Sequence, residues 1–294
     1  MTDLAPPAPV PVSVAAPWWE SLAPATAAAL AFTLLFFQPF TTLVRDWLTD
    51  PDAGHGLLLF PVAVWLAWRV RRGAVIHPRP ALGLVVLIGA ILLRFVGGLA
   101  VELFTMRVAM LGAAMGLVIY FRGLDQLRRW WLPTILLTLA IPLPAVVLGS
   151  LALPLQFKAS QMGAALLASR HVPVELTGNV IHLPGRSLFV TEACSGLRSL
   201  TALVSLGLLT GGVWLTTVWG RIVLLGATLP VAMLLNGIRI FLTGFLVYYV
   251  DPALGDGFMH VSEGWAIFVA AFAILGGLAW VLHVVERSRR RSTS

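Results

Sequence analysis

Charged residues are scarce in this chain of 294 amino acids. Only 11% of the residues are charged and 59% are hydrophobic, whereas a soluble domain carries about 25% charged residues. A soluble core cannot absorb that much apolar surface, so the composition excludes an ordinary soluble domain and predicts a membrane protein. The net charge of +7 does not indicate nucleic-acid binding, because the arginines fall in clusters between apolar runs, as in polytopic membrane proteins.

Other absences narrow the chemistry. The single cysteine excludes an internal disulfide and a thiolate-rich metal site. The sequence has no G-x-S-x-G, H-E-x-x-H or phosphate-loop motif, so serine, zinc and nucleotide chemistry lack support, and we expect neither a cofactor nor a metal. Residues 1–20 are rich in proline and alanine and lack the regions of a signal peptide, so they are predicted to form a flexible tail.

Long apolar segments predict an all-α polytopic membrane protein with about eight transmembrane helices. A spanning helix needs about 20 mostly apolar residues. Eight segments qualify roughly: 22–44, 56–72, 81–100, 102–121, 130–149, 195–214, 218–247 and 259–285. They form one predicted transmembrane domain over residues 21–286, between the cytoplasmic tail 1–20 and a basic cytoplasmic tail over residues 287–294.

Arginine placement predicts the orientation. The loops after the second and fourth segments are rich in arginine, Arg221 opens the seventh segment, and four more arginines close the chain. All of them fall on one side, which the positive-inside rule makes the cytoplasmic side. We therefore expect a multi-pass protein of the cytoplasmic (inner) membrane with both termini in the cytoplasm. The longest stretch outside the spans, about 150–193, is then extracytoplasmic.

This extracytoplasmic insert has two predicted parts. Its first part has helical periodicity with polar interruptions, which is typical of an interfacial helix. In its second part, the turn pairs Gly178-Asn179 and Pro184-Gly185 flank β-rich residues. They predict a small two- or three-stranded β-meander over residues 174–191, which delivers the chain directly to Cys194.

Cys194 lies in the stretch "TEACSGLRS", with Glu192 before it and Arg198 one helical turn after it. Free cysteine is often only a small apolar residue in a helix. Here it opens a predicted helix, where unpaired N–H groups and the helix dipole favour a thiolate. The pattern therefore favours a nucleophile, with Arg198 tuning the thiolate or binding a carboxylate.

Arg239, His260 and His55 fall on the same predicted side of the membrane as Cys194, and Asn236 lies near Arg239. Arg239 lies inside a span, where an ionisable group is a functional candidate, although an arginine near the interface can also snorkel to headgroups. As a fixed donor it suits oxyanion stabilisation, and Asn236 shares its helix face. His260 opens the last span, where its pKa suits proton transfer to a leaving amine. His55 opens the second span, and chemistry alone assigns it no role.

These motifs resemble the exosortase/archaeosortase family. The elements "EACSGLRSL" and "NGIRI", followed by a histidine before the last span, carry the resemblance, and "DPDAGHGLLLFPVAVWLAW", "IPLPAVVLGSLALPLQFKAS" and "VELTGNVIHLPG" extend it to about residues 40–285. The resemblance implies a polytopic cysteine transpeptidase, with Cys194 as nucleophile and Arg239 and His260 as the other catalytic groups.

The resemblance also implies the partners. Its substrates are exported proteins with a C-terminal tail made of a short Pro-Glu-Pro-like motif, a transmembrane helix and a basic end. A thioester on Cys194 would pass to a lipid amine, a glycan group or water, and water would make the enzyme a protease. A different class remains open: a transporter or an assembly component for exported polysaccharide, with Arg239 and His260 lining a substrate path.

Overall fold

The computed structural model describes residues 18–50, 52–70, 76–190, 197–251 and 257–292. The helices in these ranges are α1 Trp18–Thr49, α2 Gly56–Val70, α3 Pro80–Leu99, α4 Leu103–Arg122, α5 Leu124–Arg129, α6 Trp131–Leu139, α7 Ala145–Ala168, α8 Leu197–Trp214, α9 Val218–Tyr249 and α10 Gly257–Ser292. The strands are β1 Glu175–Thr177, β2 Val180–Leu183 and β3 Arg186–Phe189. The predicted mostly helical membrane protein with a small sheet is confirmed.

Fewer helices than the eight expected are both long enough and apolar enough to cross a membrane. Five helical segments within the described ranges are long and apolar enough to cross a membrane: Ala23–Thr49, Pro80–Leu99, Leu103–Arg122, Val218–Tyr249 and Val269–Arg290. The apolar helices Gly56–Val70 and Leu200–Trp214 are shorter. The count of eight is therefore not confirmed.

The predicted span 130–149 is wrong as a single helix. Helix α6 ends at Leu139, and α7 begins only at Ala145, directly after Pro144. Proline has no N–H to donate and its ring clashes with the preceding turn, so Pro142 and Pro144 interrupt the helical hydrogen bonds. Hydropathy alone does not detect this break, because the prolines lie within an apolar run.

Helix α7 contains the predicted interfacial helix, and it packs along α9. Small residues make the approach possible: Gly163 contacts Ile240, and Gly237 contacts Met162. Further along, Gly244 contacts Leu167. Residue numbers rise together on both helices, so α7 and α9 run parallel.

Helices α8, α9 and α10 form an antiparallel group. Gly207 of α8 lies against Thr228 of α9, and Gly211 lies against Leu224. At the far end of α10, the Glu286 carboxylate accepts a hydrogen bond of 2.8 Å from the Thr216 N–H, just before α9 begins. The start of α8, the end of α9 and the start of α10 therefore lie at the same end of the group, together with the end of α7.

The predicted meander is confirmed as a three-stranded antiparallel sheet in the order β1-β2-β3. Its turns fall at the predicted pairs, where Gly178 (φ +64°) and Gly185 (φ +79°) have the left-handed backbone that favours glycine. Ile181 and Leu183 point inward. They join residues of α7 and α9 in one buried apolar cluster, which fixes the sheet on the ends of these two helices.

Candidate functional site

Asn236 and Arg239 lie one turn apart on α9. The Asn236 side chain is buried and lines a small cleft between α7, α8 and α9. The other lining residues are apolar: Leu155, Ala159, Leu200, Leu229, Ala232 and Met233. Arg239 is half-buried, and its backbone carbonyl accepts a hydrogen bond of 3.0 Å from the Thr243 hydroxyl. Asn236 therefore lies where α9 meets α7 and α8, and Arg239 follows it by one turn.

The start of α8 approaches the same part of α9. Cys194 and Glu192 lie outside the described residues. Helix α8 begins at Leu197, three residues after Cys194 in the sequence, and Arg198 falls in its first turn. Leu200, one turn into α8, lines the same cleft as Asn236. The predicted helix directly after the cysteine is therefore present, and its first turns lie beside Asn236.

His260 lies in the first turn of α10. Because α10 runs antiparallel to α9, this turn is at the end of the helical group where α9 finishes and α8 starts. Ile267, two turns further on, packs in the same apolar cluster as Leu200 and Ile238. The backbone at His260 is therefore at the same end of the bundle as Arg239.

His55 belongs to a different part of the molecule. It lies in the turn before α2, and its Nε2 is 3.1 Å from the Leu139 carbonyl oxygen. A carbonyl only accepts, so Nε2–H is the donor. Nearby, the Trp47 Nε1–H donates to the Ala140 carbonyl at 2.7 Å. A continuous helix would supply donors for these two carbonyls from later residues, so His55 and Trp47 act as caps at the break between α6 and α7.

This capping role was not predictable from the residue type of His55. The signal for it is the pair of prolines at 142 and 144, which ends the helix. Pro144 has no N–H for the Ala140 carbonyl, and the break separates the Leu139 carbonyl from its own helical donor. Gly56 contributes to the same arrangement, since a Cβ at this position would overlap the Trp47 indole. The His-Gly pair therefore supports a helix break.

A buried polar network, which sequence reasoning missed, joins α7 to the sheet. The Asn179 amide Nδ2 donates to the Gln156 Oε1 at 3.3 Å and to the Val190 carbonyl at 3.0 Å. The Val190 N–H donates in return to the Asn179 carbonyl at 3.0 Å. Gln156 and Val190 are only 5% and 3% exposed. Val190 is the last described residue before the segment that contains Cys194.

An ion pair was also missed. Arg107 of α4 donates to the Asp46 carboxylate of α1 at 2.7 Å, and the two side chains are 3% and 34% exposed. They are 61 residues apart in the sequence, so no local pattern links them. A charge inside an apolar helix requires such a partner, because an isolated buried charge costs several kcal/mol.

One carboxylate outside the candidate spans has a shifted pKa. The hydrogen bonds from Thr105 lower the pKa of Glu102 from its ordinary 4.5, and the bond from Phe104 adds to the effect. The backbone N–H groups of Phe104 and Thr105 donate to its oxygens at 3.0 and 2.6 Å. Glu102 is thus the N-cap of α4.

Within the described part of the chain, no group of three or more His, Cys, Asp or Glu side chains could hold a metal ion. One family model, described as "Transmembrane exosortase (Exosortase_EpsH)", matches residues 47–277, more than half of the chain. No match was found among curated proteins, and none among solved structures.

Proposed function

The chain belongs to the transmembrane exosortase family, and on this premise we propose that it is a membrane-embedded cysteine transpeptidase or protease. Its substrates are exported proteins with a C-terminal tail of motif, transmembrane helix and basic end. The tail helix lodges beside the spans of the enzyme. The motif then reaches the extracytoplasmic face of the cytoplasmic membrane, where the chain is cut.

The reaction passes through a thioester on Cys194. The Cys194 thiolate attacks the scissile carbonyl carbon, and Arg239 donates to the oxyanion that forms. The C–N bond then breaks, and His260 gives its proton to the leaving amine. An acceptor, which is a lipid amine, a glycan group or water, gives its proton to the now neutral His260 as it attacks the thioester carbon, and the C–S bond breaks to release the thiolate.

The observation that carries this proposal is the convergence of three elements at one end of the bundle. Helix α8 begins three residues after Cys194, α9 carries Arg239 one turn after Asn236, and α10 begins with the turn that contains His260. Arg198 in the first turn of α8 and Asn236 in the cleft are supporting residues in this arrangement. Glu192, just before the cysteine, is the third supporting candidate.

The sheet supports an aqueous setting for this end. An open sheet has edge N–H and C=O groups that hydrocarbon cannot satisfy, so the meander belongs to the membrane surface or beyond it. The opposite end carries Arg221 at the start of α9 and Arg287 near the end of α10. The positive-inside rule makes that end cytoplasmic and the sheet end extracytoplasmic.

The test is processing of a tail-bearing reporter in cells that lack other members of the family. Cys194→Ala and Cys194→Ser should both leave the reporter uncut, because a serine hydroxyl has too high a pKa to act as this nucleophile without a strong base. Gln126→Met, a buried change in α5, is the matched control and should process normally. Full processing by Cys194→Ala would overturn the enzyme assignment and would favour the transporter or assembly alternative.

A further inference from the structure

Asn179 makes more hydrogen bonds than its place in a turn requires. It lies in the two-residue connection between β1 and β2, where Thr177 pairs with Val180. Register in the sheet is already set by these pairs and by the β2–β3 pairs. Only the two bonds of the Asn179 side-chain amide, to Gln156 and to the Val190 carbonyl, are additional.

The two hydrogen bonds to Val190 hold the chain at the point where it leaves the sheet. Strand β3 ends at Phe189, and Val190 lies opposite Asn179, one step beyond the Val180–Phe189 pair in the same register. The Val190 N–H donates to the Asn179 backbone carbonyl, and the Val190 carbonyl accepts from the Asn179 side-chain amide, each at 3.0 Å. The chain is therefore fixed in position and direction at the residue that precedes the Cys194 segment. Cys194 follows four residues later.

The bond to Gln156 fixes this exit relative to α9. Gln156 is buried in α7, where an apolar residue would fill the space without the cost of desolvating an amide. Helices α7 and α9 pack closely against each other, for example where Met162 contacts Gly237. Arg239 follows Gly237 by two residues on α9. A short and well-packed path thus connects Asn179 with Arg239.

We propose that Asn179, anchored by Gln156, is a positioning residue for the nucleophile. It sets the point from which the cysteine segment starts, and therefore the placement of Cys194 relative to the start of α8 and to Arg239. This proposal rests on the proposed function, since it assigns Asn179 a role in the same reaction. Asn179 itself does not touch the reacting atoms.

The test compares variants that keep or remove individual bonds. Asn179→Ala and Asn179→Asp both remove the amide donor, and the carboxylate of Asp additionally repels the Val190 carbonyl. Gln156→Met removes the acceptor, whereas Gln156→Glu keeps an acceptor oxygen. Gln126→Met is the matched control: Gln126 is also buried, at 1% exposed, and neither of its side-chain polar atoms has a hydrogen-bond partner.

Two quantities are measured on each variant in detergent: the processing rate of a tail peptide, and the pH dependence of alkylation of the protein's only thiol by a maleimide. We expect Asn179→Ala and Gln156→Met to slow processing by about threefold to tenfold or more, the range that corresponds to one lost buried hydrogen bond. The alkylation profile of Cys194 should move along the pH axis, because the thiol pKa depends on its distance from the helix start and the arginines. Gln156→Glu should recover part of both properties, and Gln126→Met should change neither.

An unchanged alkylation profile in Asn179→Ala would overturn the proposal, even if processing were lost, because the loss would then be structural. Equal effects of Gln156→Met and Gln126→Met would overturn it as well. Failure of the proposed function is a separate result. If Cys194→Ala still processes the reporter, the enzyme assignment fails, while the alkylation profile still reports whether Asn179 controls the surroundings of the thiol.

Discussion

The Asp46–Arg107 ion pair allows a quantitative prediction because its two members are unequally buried. The Arg107 side chain is 3% exposed and the Asp46 side chain is 34% exposed. Removal of the acid leaves a fully buried guanidinium without its counter-charge, whereas removal of the base leaves a carboxylate that is only partly buried. Loss of Asp46 should therefore destabilise the protein more than loss of Arg107.

The expected magnitudes follow from this asymmetry. Breaking a buried pair costs about 3–5 kcal/mol, and the partial exposure of Asp46 places Asp46→Ala at the lower end, about 3 kcal/mol. Arg107→Met keeps the apolar stem and should cost about 1 kcal/mol. The double variant should cost no more than about 1.5 kcal/mol, which gives a coupling energy of roughly 2–3 kcal/mol. Asp46→Asn is the matched control, since it keeps an acceptor for the guanidinium.

The assay is reversible unfolding in mixed micelles, followed by tryptophan fluorescence as the denaturing detergent is titrated. Asp46→Asn should fall between the wild-type protein and Asp46→Ala. Additive costs for the two single variants would refute the reasoning, because the pair would then contribute no coupling. A larger cost for Arg107→Met than for Asp46→Ala would also refute it, since burial would not decide the energetics.

Three further predictions concern single positions. Arg239→Lys keeps the charge but loses the planar set of donors, so tail processing should slow by about 10²–10³ at an unchanged membrane level; wild-type processing would contradict the oxyanion role. His55→Gln should keep a donor for the Leu139 carbonyl, whereas His55→Phe should lower the free energy of unfolding by about 1–3 kcal/mol; equal values would contradict the capping role. The lowered pKa of Glu102 stabilises the fold fully above its ordinary 4.5, and this contribution is lost as the pH falls through the lowered value. Glu102→Gln should therefore weaken the acid dependence measured by unfolding at several pH values, and an unchanged dependence would contradict the assignment.

The sequence predicted the elements that are defined by local signals. The turn pairs Gly178-Asn179 and Pro184-Gly185 placed the sheet, because their backbone requirements are local. The start of α8 followed from the end of the β-rich region and the onset of an apolar run. Asn236 and Arg239 became candidates because polar and charged residues are unusual inside an apolar helix, and their roles stay predictions.

Features that depend on distant partners were not predicted. The break between α6 and α7 was missed because a hydropathy window averages over Pro142 and Pro144. The packing of α7 on α9 depends on glycines whose neighbours are known only in three dimensions. The Gln156–Asn179–Val190 network joins residues that are 11 and 23 positions apart. The geometry of Cys194 and Glu192 stays a prediction, because both lie outside the described residues.

The caps at the α6–α7 break have a consequence for the order of membrane insertion. Trp47 and His55 leave the ribosome some 90 residues before the carbonyls of Leu139 and Ala140 that they bind. The donors are therefore already synthesised when the interrupted helix follows, and its exposed carbonyls bind protein groups in place of water. A fragment that begins after α2 would have to insert this break uncapped. For the same reason, a chimera of two family members should take the α1–α2 connection and the α6–α7 break from the same protein.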